Sequence, residues 1–330
     1  MRRQQISGIL NIDKPAGMTS HDVVAHVRHL SGTKRVGHAG TLDPLATGVL
    51  VVCLGQATRV AEYLMASDKV YRAQIRLGVS TDTHDAEGEV TATTEVDVRE
   101  KEVREALASF IGSIQQVPPM YSALKHKGIP LYRLARQGIT VEREPRSVEI
   151  HNIELLDYFD KAQYKWSPPL LRQAQYKLLT IRVECSPGTY IRALARDLGQ
   201  KLGCGAHLQS LTRLASGHFT LEKAVSLDEL AEAFAYFGGA QYKQVNWQKF
   251  IHPLDEALLD FELMVVDAQT ETRIRHGQQV EAPPLPPPQV EGEGERGLRR
   301  AYSQKGELIA ILRRDPQTGL WQPQKVFAAS

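Results

Sequence analysis

The sequence predicts an α+β fold: a mixed, largely antiparallel sheet covered by helices, followed by a small β-rich module. Two observations carry this. Alternating, strand-like segments and helix-like segments interleave along the first part of the chain, with several hairpin-like returns. Near Asn246–Leu259 the composition shifts, and only short strand signals follow. A chain of 330 residues that is 42% hydrophobic and 24% charged can bury one large core and a smaller second one. No apolar run approaches the roughly 18 to 20 residues needed to span a bilayer, which excludes a membrane-spanning helix.

Gly8 to Pro15 alternates like a strand and stops at a turn, after which Thr19 or Ser20 can cap a helix running to about Leu30. A glycine-rich loop follows. Val49 to Leu54 is a short apolar run between Gly48 and Gly55, the mark of a buried strand; Thr58 to Met65 reads as a helix, and Tyr71 to Leu77 alternates again. Val98 to Phe110 presents Val103, Leu107 and Phe110 on one helical face, ended by the loop at Pro118-Pro119. Leu178 to Cys185 and Leu208 to Leu214 read as strands, Gly188 to Lys201 and Leu227 to Phe237 as helices.

The β-rich module has strand signals at Phe261 to Val266, Gly306 to Leu312 and Trp321 to Phe327, broken by a proline-rich and then acidic-glycine tract over 282–297. We place the domain division at 1–248 and 249–330. There is no internal repeat at a fixed period.

Met1-Arg2-Arg3-Gln4-Gln5 leads straight into an alternating segment instead of a long apolar one, so no secretory signal is expected and a cytoplasmic location is. Cys53, Cys185 and Cys204 are too few and too scattered for a disulfide framework or a zinc site, and read as reduced thiols. A formal charge of +2 says little about partners, but its distribution says more. Between Pro118 and Arg146, six Lys and Arg residues face only Glu142 and Glu144, making this stretch a candidate contact for a polyanion.

The densest chemistry is the run Gly37-His38-Ala39-Gly40-Thr41-Leu42-Asp43-Pro44-Leu45-Ala46-Thr47-Gly48. Its glycines permit tight backbone shapes, and Pro44 stiffens the turn directly after Asp43. Asp43 is either a carboxylate presented on a shaped loop or a turn aspartate holding its own backbone. A phosphate loop is disfavoured, because no Gly-Lys-Ser/Thr ending is present. In Cys185 to Arg192 a strand end runs into a helix, and Arg192 sits near that helix's N-terminus, where the helix dipole offers it nothing and an anion is wanted. Taken singly, Tyr71 and Leu211 read as core residues.

Asn11 to Ser20, Gly37 to Gly48, Leu54 to Arg59, Lys69 to Arg72, Gly78 to Asp85, Val117 to Gly138, Gly188 to Arg192 and Gly203 to Leu208 together resemble the bacterial TruB family of tRNA pseudouridine-55 synthases, in the family's order and spacing. The resemblance covers about residues 7–232. After Phe250 it is more diffuse, with Arg275-His276-Gly277-Gln278 similar to the family's small PUA-like RNA-binding module. Two stretches depart from the pattern: a longer connection over 160–175, containing Trp166-Ser167-Pro168-Pro169, and the proline-rich tract.

The resemblance implies a pseudouridine-synthase fold and an enzyme that isomerises a uridine of the tRNA T-loop by base flipping, as a monomer with neither cofactor nor metal. Asp43 is then the carboxylate at the ribose, Arg192 its partner, Tyr71 the aromatic residue at the base and Leu211 the apolar residue that holds the detached base. His38 fills the space that the flipped base leaves, or else is a histidine hydrogen-bonded within its own turn. Lys14 and Arg59 lie near the site or the RNA backbone, or else are solvated surface charges. Within an RNA-gripping insertion over about 117–148, Met120, Tyr121, Lys125, Lys127 and Tyr132 mix aromatic and cationic contacts, and the segment is expected to order on RNA.

Two other readings compete. An N-glycoside hydrolase shares the carboxylate but releases free uracil, and no second Asp or Glu has an evident partner position, since Asp82 and Asp85 belong to a turn-like segment. A non-catalytic tRNA-binding or folding protein leaves Asp43 idle.

Overall fold

The computed structural model describes residues 6–160, 177–235, 247–281 and 297–327. The expected long connection and the proline-rich tract fall almost entirely outside these residues. In chain order the elements are β1 (Gly8–Lys14), α1 (Ser20–Ser31), β2 (Val36–His38), β3 (Thr47–Leu54), α2 (Ala61–Met65), β4 (Lys69–Leu77), β5 (Val79–Thr81), β6 (Val90–Thr93), α3 (Glu100–Ala108) and β7 (Gly112–Gln116). The insertion carries β8 (Lys125–His126), β9 (Ile129–Pro130) and α4 (Leu131–Arg136). There follow β10 (Arg146–Asp160), β11 (Lys177–Cys185), α5 (Ile191–Lys201), β12 (Ala206–Ser216), β13 (Phe219–Thr220), β14 (Val225–Ser226), α6 (Leu227–Ala235) and β15 (Ile251–His252). The last unit comprises β16 (Glu262–Val266), α7 (Ala268–Arg275), β17 (Leu298–Ser303), β18 (Leu308–Arg314) and β19 (Trp321–Val326).

The large sheet runs β14-β1-β3-β12-β4-β11-β10-β7, with β2, β13 and β15 on its flanks. Among the described strands of this sheet only β1–β14 and β3–β12 pair parallel, so the sheet is mixed and largely antiparallel, as expected. The small sheet runs β16-β17-β18-β19. Ile251 and His252 pair with Leu10 and Ile9, so the large sheet extends past the boundary placed at 248/249.

Period-two alternation explains why Val49–Leu54 is apolar throughout. Leu50, Val52 and Leu54 join Leu10 and Ile12 in the main core under the helices. Val49, Val51 and Cys53 join Ile9 on the opposite face, in a cluster completed by Phe261, Leu298, Ile311 and Phe327 of the small unit. Both faces of this strand are covered, which is the condition under which a strand loses its polar side. The three cysteines are buried and unpaired, and burial pushes the thiols of Cys53 and Cys185 up to about 12.

Thr19 caps α1, its side chain accepting from Asp22 N at 3.1 Å while Asp22 Oδ2 accepts from Thr19 N at 2.8 Å. Three expectations need correcting. The helix near residue 100 ends at Ala108, and β7 intervenes before Pro118-Pro119. Expected as one helix, 58–65 is split between a 3-10 turn over Gly55–Arg59 and α2. The strands β10 and β17 and the helix α7 were not anticipated; α7 buries only Ile274, so it lacks the apolar stripe that marks a helix in sequence.

Candidate active site

The loop before β3 is held from three directions. Ser20 Oγ, at the start of α1, donates to Leu42 O at 3.0 Å and accepts from Leu42 N at 2.8 Å. Lys14 Nζ, at the end of β1, donates to Pro15 O at 2.8 Å and Pro44 O at 3.3 Å. Arg213, from β12, donates to Val49 O at 2.6 Å and Gly40 O at 3.1 Å. Gly48 has φ +93°, and a Cβ there would lie 2.3 Å from Arg213 O, so the β3–β12 approach requires glycine. These clamps fix Asp43, between Leu42 and Pro44, at the wall of a cavity of about 300 Å³.

Arg192, in the first turn of α5, closes the same cavity. Its Nε lies 3.0 Å from Asp43 Oδ2, its Nη1 lies 3.2 Å from Asp85 Oδ2, and its Nη2 donates to Tyr121 O at 2.7 Å. The cation that the helix dipole disfavours is therefore met by two carboxylates and a carbonyl. Asp85 is itself saturated, its Oδ1 accepting from Thr83 Oγ1 at 2.6 Å and Glu87 N at 3.1 Å. The turn-like segment expected at Asp82–Asp85 is present, but it delivers Asp85 into the interior, so a second carboxylate does stand near Asp43.

Desolvation is the largest influence on Asp43 and raises its pKa above the usual carboxylate range; Arg192 opposes that shift, Asp85 adds to it and Lys14 opposes it. The carboxylate nevertheless keeps 35% of its side-chain surface accessible, where it lines the cavity. Tyr71, on the buried face of β4, also lines the cavity, and burial raises its hydroxyl pKa although Arg213 donates to it and works the other way. The site thus keeps Tyr71 neutral, the reverse of what a phenolate base needs. Leu211, 8% exposed on β12, completes an apolar side.

The other expected residues divide. Lys14 is fully buried and serves the Asp43 loop from within; burial lowers its pKa to about 8. His38 makes no hydrogen bond within its turn: Nδ1 is buried without a partner, the ring packs edge-on to His21 at 5.4 Å, and burial lowers its pKa to about 4. Met120 and Tyr121 sit at the root of the insertion, where Ser122 N donates to Met120 O at 2.9 Å. Lys125 and Lys127 are exposed on the β8–β9 hairpin, and Tyr132 packs under Arg136 at 5.8 Å. Arg59 is not brought to the cavity; it donates to Val326 O at 2.5 Å and lies 5.1 Å from the Phe327 ring.

The TruB family pseudouridylate synthase N-terminal domain model matches residues 28–191, and the tRNA pseudouridylate synthase B C-terminal domain model matches 192–259. The chain is 43% identical over 308 residues to tRNA pseudouridine synthase B of Dechloromonas aromatica, covering 93% of this chain and 91% of that protein. It is 42% identical over 309 residues to the Pseudomonas aeruginosa protein of that name, covering 94% and 92%. The chain belongs to the TruB family. Its pseudouridine-synthase fold is shared with the matching chain in a crystal structure of a Cbf5-Nop10-Gar1 complex, at TM-score 0.71 and 26% identity over 97% of this chain and 85% of that one. A second similar chain comes from an H/ACA RNP bound to a substrate RNA containing 2′-deoxyuridine, at TM-score 0.70, 25% identity and coverage of 98% and 85%.

Sequence reading of this TruB chain missed Asp85, Arg213 and Ser20. Arg213 left one usable signal, a cation inside an otherwise apolar strand, where burial demands acceptors. Asp85 left none.

Proposed function

We propose that the chain isomerises uridine 55 in the T-loop of tRNA to pseudouridine, with Asp43 at the ribose. The reading rests on the Asp43–Arg192 ion pair at the wall of a cavity whose other sides are Tyr71 and Leu211. The conversion breaks N1–C1′, turns the uracil, joins C5 to C1′ and exchanges the C5 proton for one on N1. Nothing is oxidised and no atom is added, so the balance asks for no cofactor or metal. It does ask for an ionised carboxylate that attacks C1′ or removes a proton from C2′.

Arg192 supplies the condition for that ionisation in a site that otherwise favours the proton. Tyr71, held neutral, offers its ring to the base and a hydroxyl that donates. Leu211 confines the base while it turns. The base reaches Asp43 only when flipped out of the T-loop, at a cost of a few kcal/mol that RNA contacts offset. His38, the last residue of β2 before the Asp43 loop, takes the vacated position. Met120, Tyr121, Lys125, Lys127 and Tyr132 grip the T-arm, and the PUA-like unit at 249–330 adds RNA contact. Arg59 reaches RNA only at the seam with that unit. We further infer a monomer in the cytoplasm; no helix among the described residues is long and apolar enough to cross a membrane.

Asp85 does not convert the site to glycoside hydrolysis. A hydrolytic pair needs two carboxyl groups that both reach the scissile bond. Asp85 is buried and is not among the residues that line the cavity, and both its oxygens are taken up by donors, Arg192 among them.

The test is tritium release from a tRNA transcript carrying C5-tritiated uridine. The unaltered protein releases one equivalent per tRNA with no free uracil, and Asp43→Asn slows release by about a thousandfold or more while still binding tRNA. Free uracil supports hydrolysis; no release despite tight binding leaves the RNA-binding reading standing.

A further inference from the structure

The clamp on the Asp43 loop uses only part of Arg213. Of the five N–H groups of a guanidinium, three serve the main chain: Nε donates to Val49 O at 2.6 Å, Nη1 to Thr41 O at 3.5 Å and Nη2 to Gly40 O at 3.1 Å. Two are left over. The side chain is 1% exposed, yet it stands in the wall of the cavity together with Tyr71. In the antiparallel pairing of β12 with β4, Arg213 lies directly opposite Tyr71, so the two side chains share one face of the sheet. The Tyr71 hydroxyl accepts from the guanidinium.

A guanidinium offers no acceptor, so the phenolic proton cannot point at Arg213. Among the described residues no carbonyl or carboxylate takes that proton either. A hydroxyl that accepts from a fixed cation on one side has its O–H turned to the other, here toward the cavity. The charged or titratable groups that face Tyr71 are Arg213 from β12, Cys185 from β11 and Asp43 from its loop. Burial holds the proton on Tyr71, Cys185 and Asp43 act in the same direction, and of these groups Arg213 alone favours the phenolate. Tyr71 therefore enters the reaction protonated, with one neighbour suited to its conjugate base.

We propose that Arg213 is a positioning residue for the proton transfer at the base: it turns the Tyr71 hydroxyl into the cavity as a donor and steadies the phenolate left once that proton is given. This rests on the isomerase reading and assigns the order of its last step. After C5 has joined C1′, C5 still carries its hydrogen and N1 carries none, and both atoms flank C6. Tyr71 gives its proton to N1: the O–H bond breaks, the N1–H bond forms, and the phenolate remains beside Arg213. The positive charge gained at N1 makes the C5 hydrogen more acidic. The phenolate takes that proton, the C5–H electron pair becomes the C5–C6 double bond, and the C6–N1 π pair returns to N1. Tyr71 is a neutral phenol again, and the base has moved one proton from C5 to N1. A pocket that disfavours the resting phenolate suits a tyrosine that gives before it takes.

Single-turnover tritium release is measured for the unaltered protein, Arg213→Lys, Tyr71→Phe and the double variant. Arg213→Lys keeps a charge but loses the fork that serves the loop and Tyr71 together. It is expected to slow release about tenfold more in the presence of Tyr71 than in the Tyr71→Phe background. The loop clamp is weakened alike in both backgrounds, so the excess reads the contact with Tyr71; equal slowing in both overturns the proposal. A second measurement needs no change at Arg213: a fluorinated tyrosine, the more acidic phenol, is placed at position 71 and release is followed against pH. Donation first predicts that release falls as pH rises through the ionisation of that phenol. Release that rises or stays level there overturns the proposal and leaves the isomerase reading intact. A failure of the unaltered protein to release tritium from a uridine transcript overturns the isomerase reading itself.

Discussion

Asp43 sits where two demands conflict: the reaction needs its charge, and its surroundings favour the proton. The folded protein holds that proton more tightly than the unfolded chain does, so the ionised carboxylate costs stability at neutral pH. Below the ordinary carboxylate pKa of about 4, both states are protonated and the cost vanishes. Asp43→Asn is therefore expected to melt above the unaltered protein at neutral pH, with the gap closing as pH falls through the raised pKa. Activity of the unaltered protein falls along the same acid limb. Melting curves at stepped pH check this, and a variant that melts lower at neutral pH shows that the Arg192 pairing outweighs burial. Asn at this position also removes one of the two charges that orient Arg192, leaving Asp85 as its carboxylate partner beside the Tyr121 carbonyl.

At the scale of elements, α5 is the hub that joins the insertion to the site. Gln116 accepts from Tyr190 N at 2.8 Å and donates to Tyr190 O at 3.1 Å, fixing the residue before the helix. Arg196 donates to Val117 O at 3.3 Å, and Arg192 to Tyr121 O. Gly199 lets the helix lie against β12, since a Cβ there would stand 2.2 Å from Ala206 N. The root of the insertion is thus pinned, while Lys125 and Lys127 stand exposed at its hairpin. Amide exchange over 118–146 is expected to slow when tRNA is added, most strongly around the β8–β9 hairpin. Exchange that stays unchanged on binding would remove the insertion from the RNA contact.

At the scale of the whole molecule, the small unit is docked on the face of β1 and β3 opposite the main core. Phe261 meets the Tyr63 ring edge-on at 5.1 Å and belongs to the apolar cluster that Ile9, Val49 and Val51 share with Leu298, Ile311 and Phe327. Lys325 bonds Glu62 and the Arg59 carbonyl, and Arg59 reaches back to Val326 and Phe327. A shared core couples the stability of both units, so calorimetry is expected to show one cooperative transition. Phe261→Ala is expected to cost about 3–5 kcal/mol and to lower that single transition. Two separate transitions in the unaltered protein would show that the units unfold independently.

What the sequence determined by itself was local. Alternation marked β1 and β4, a short apolar run marked β3, strand-like segments marked β11 and β12, a capping Thr19 or Ser20 marked the start of α1, and the Gly37–Gly48 run carried the loop and, with the other motif segments, the family resemblance that singled out Asp43, Tyr71, Arg192 and Leu211. Each of these signals is written in residues a few positions apart, within reach of a strand's period or a helical turn. The tertiary structure decided the rest. Asp85 is a surface-type residue in a polar turn until the fold places Arg192, 107 positions later, against it. Arg213 becomes the clamp of the Asp43 loop only because β12 pairs parallel with β3, and Arg59 turns from the site because the small unit docks beside it. Burial, which sets the direction of the Asp43, Tyr71 and Lys14 pKa values, belongs to no residue alone, because it depends on how the distant segments pack around it.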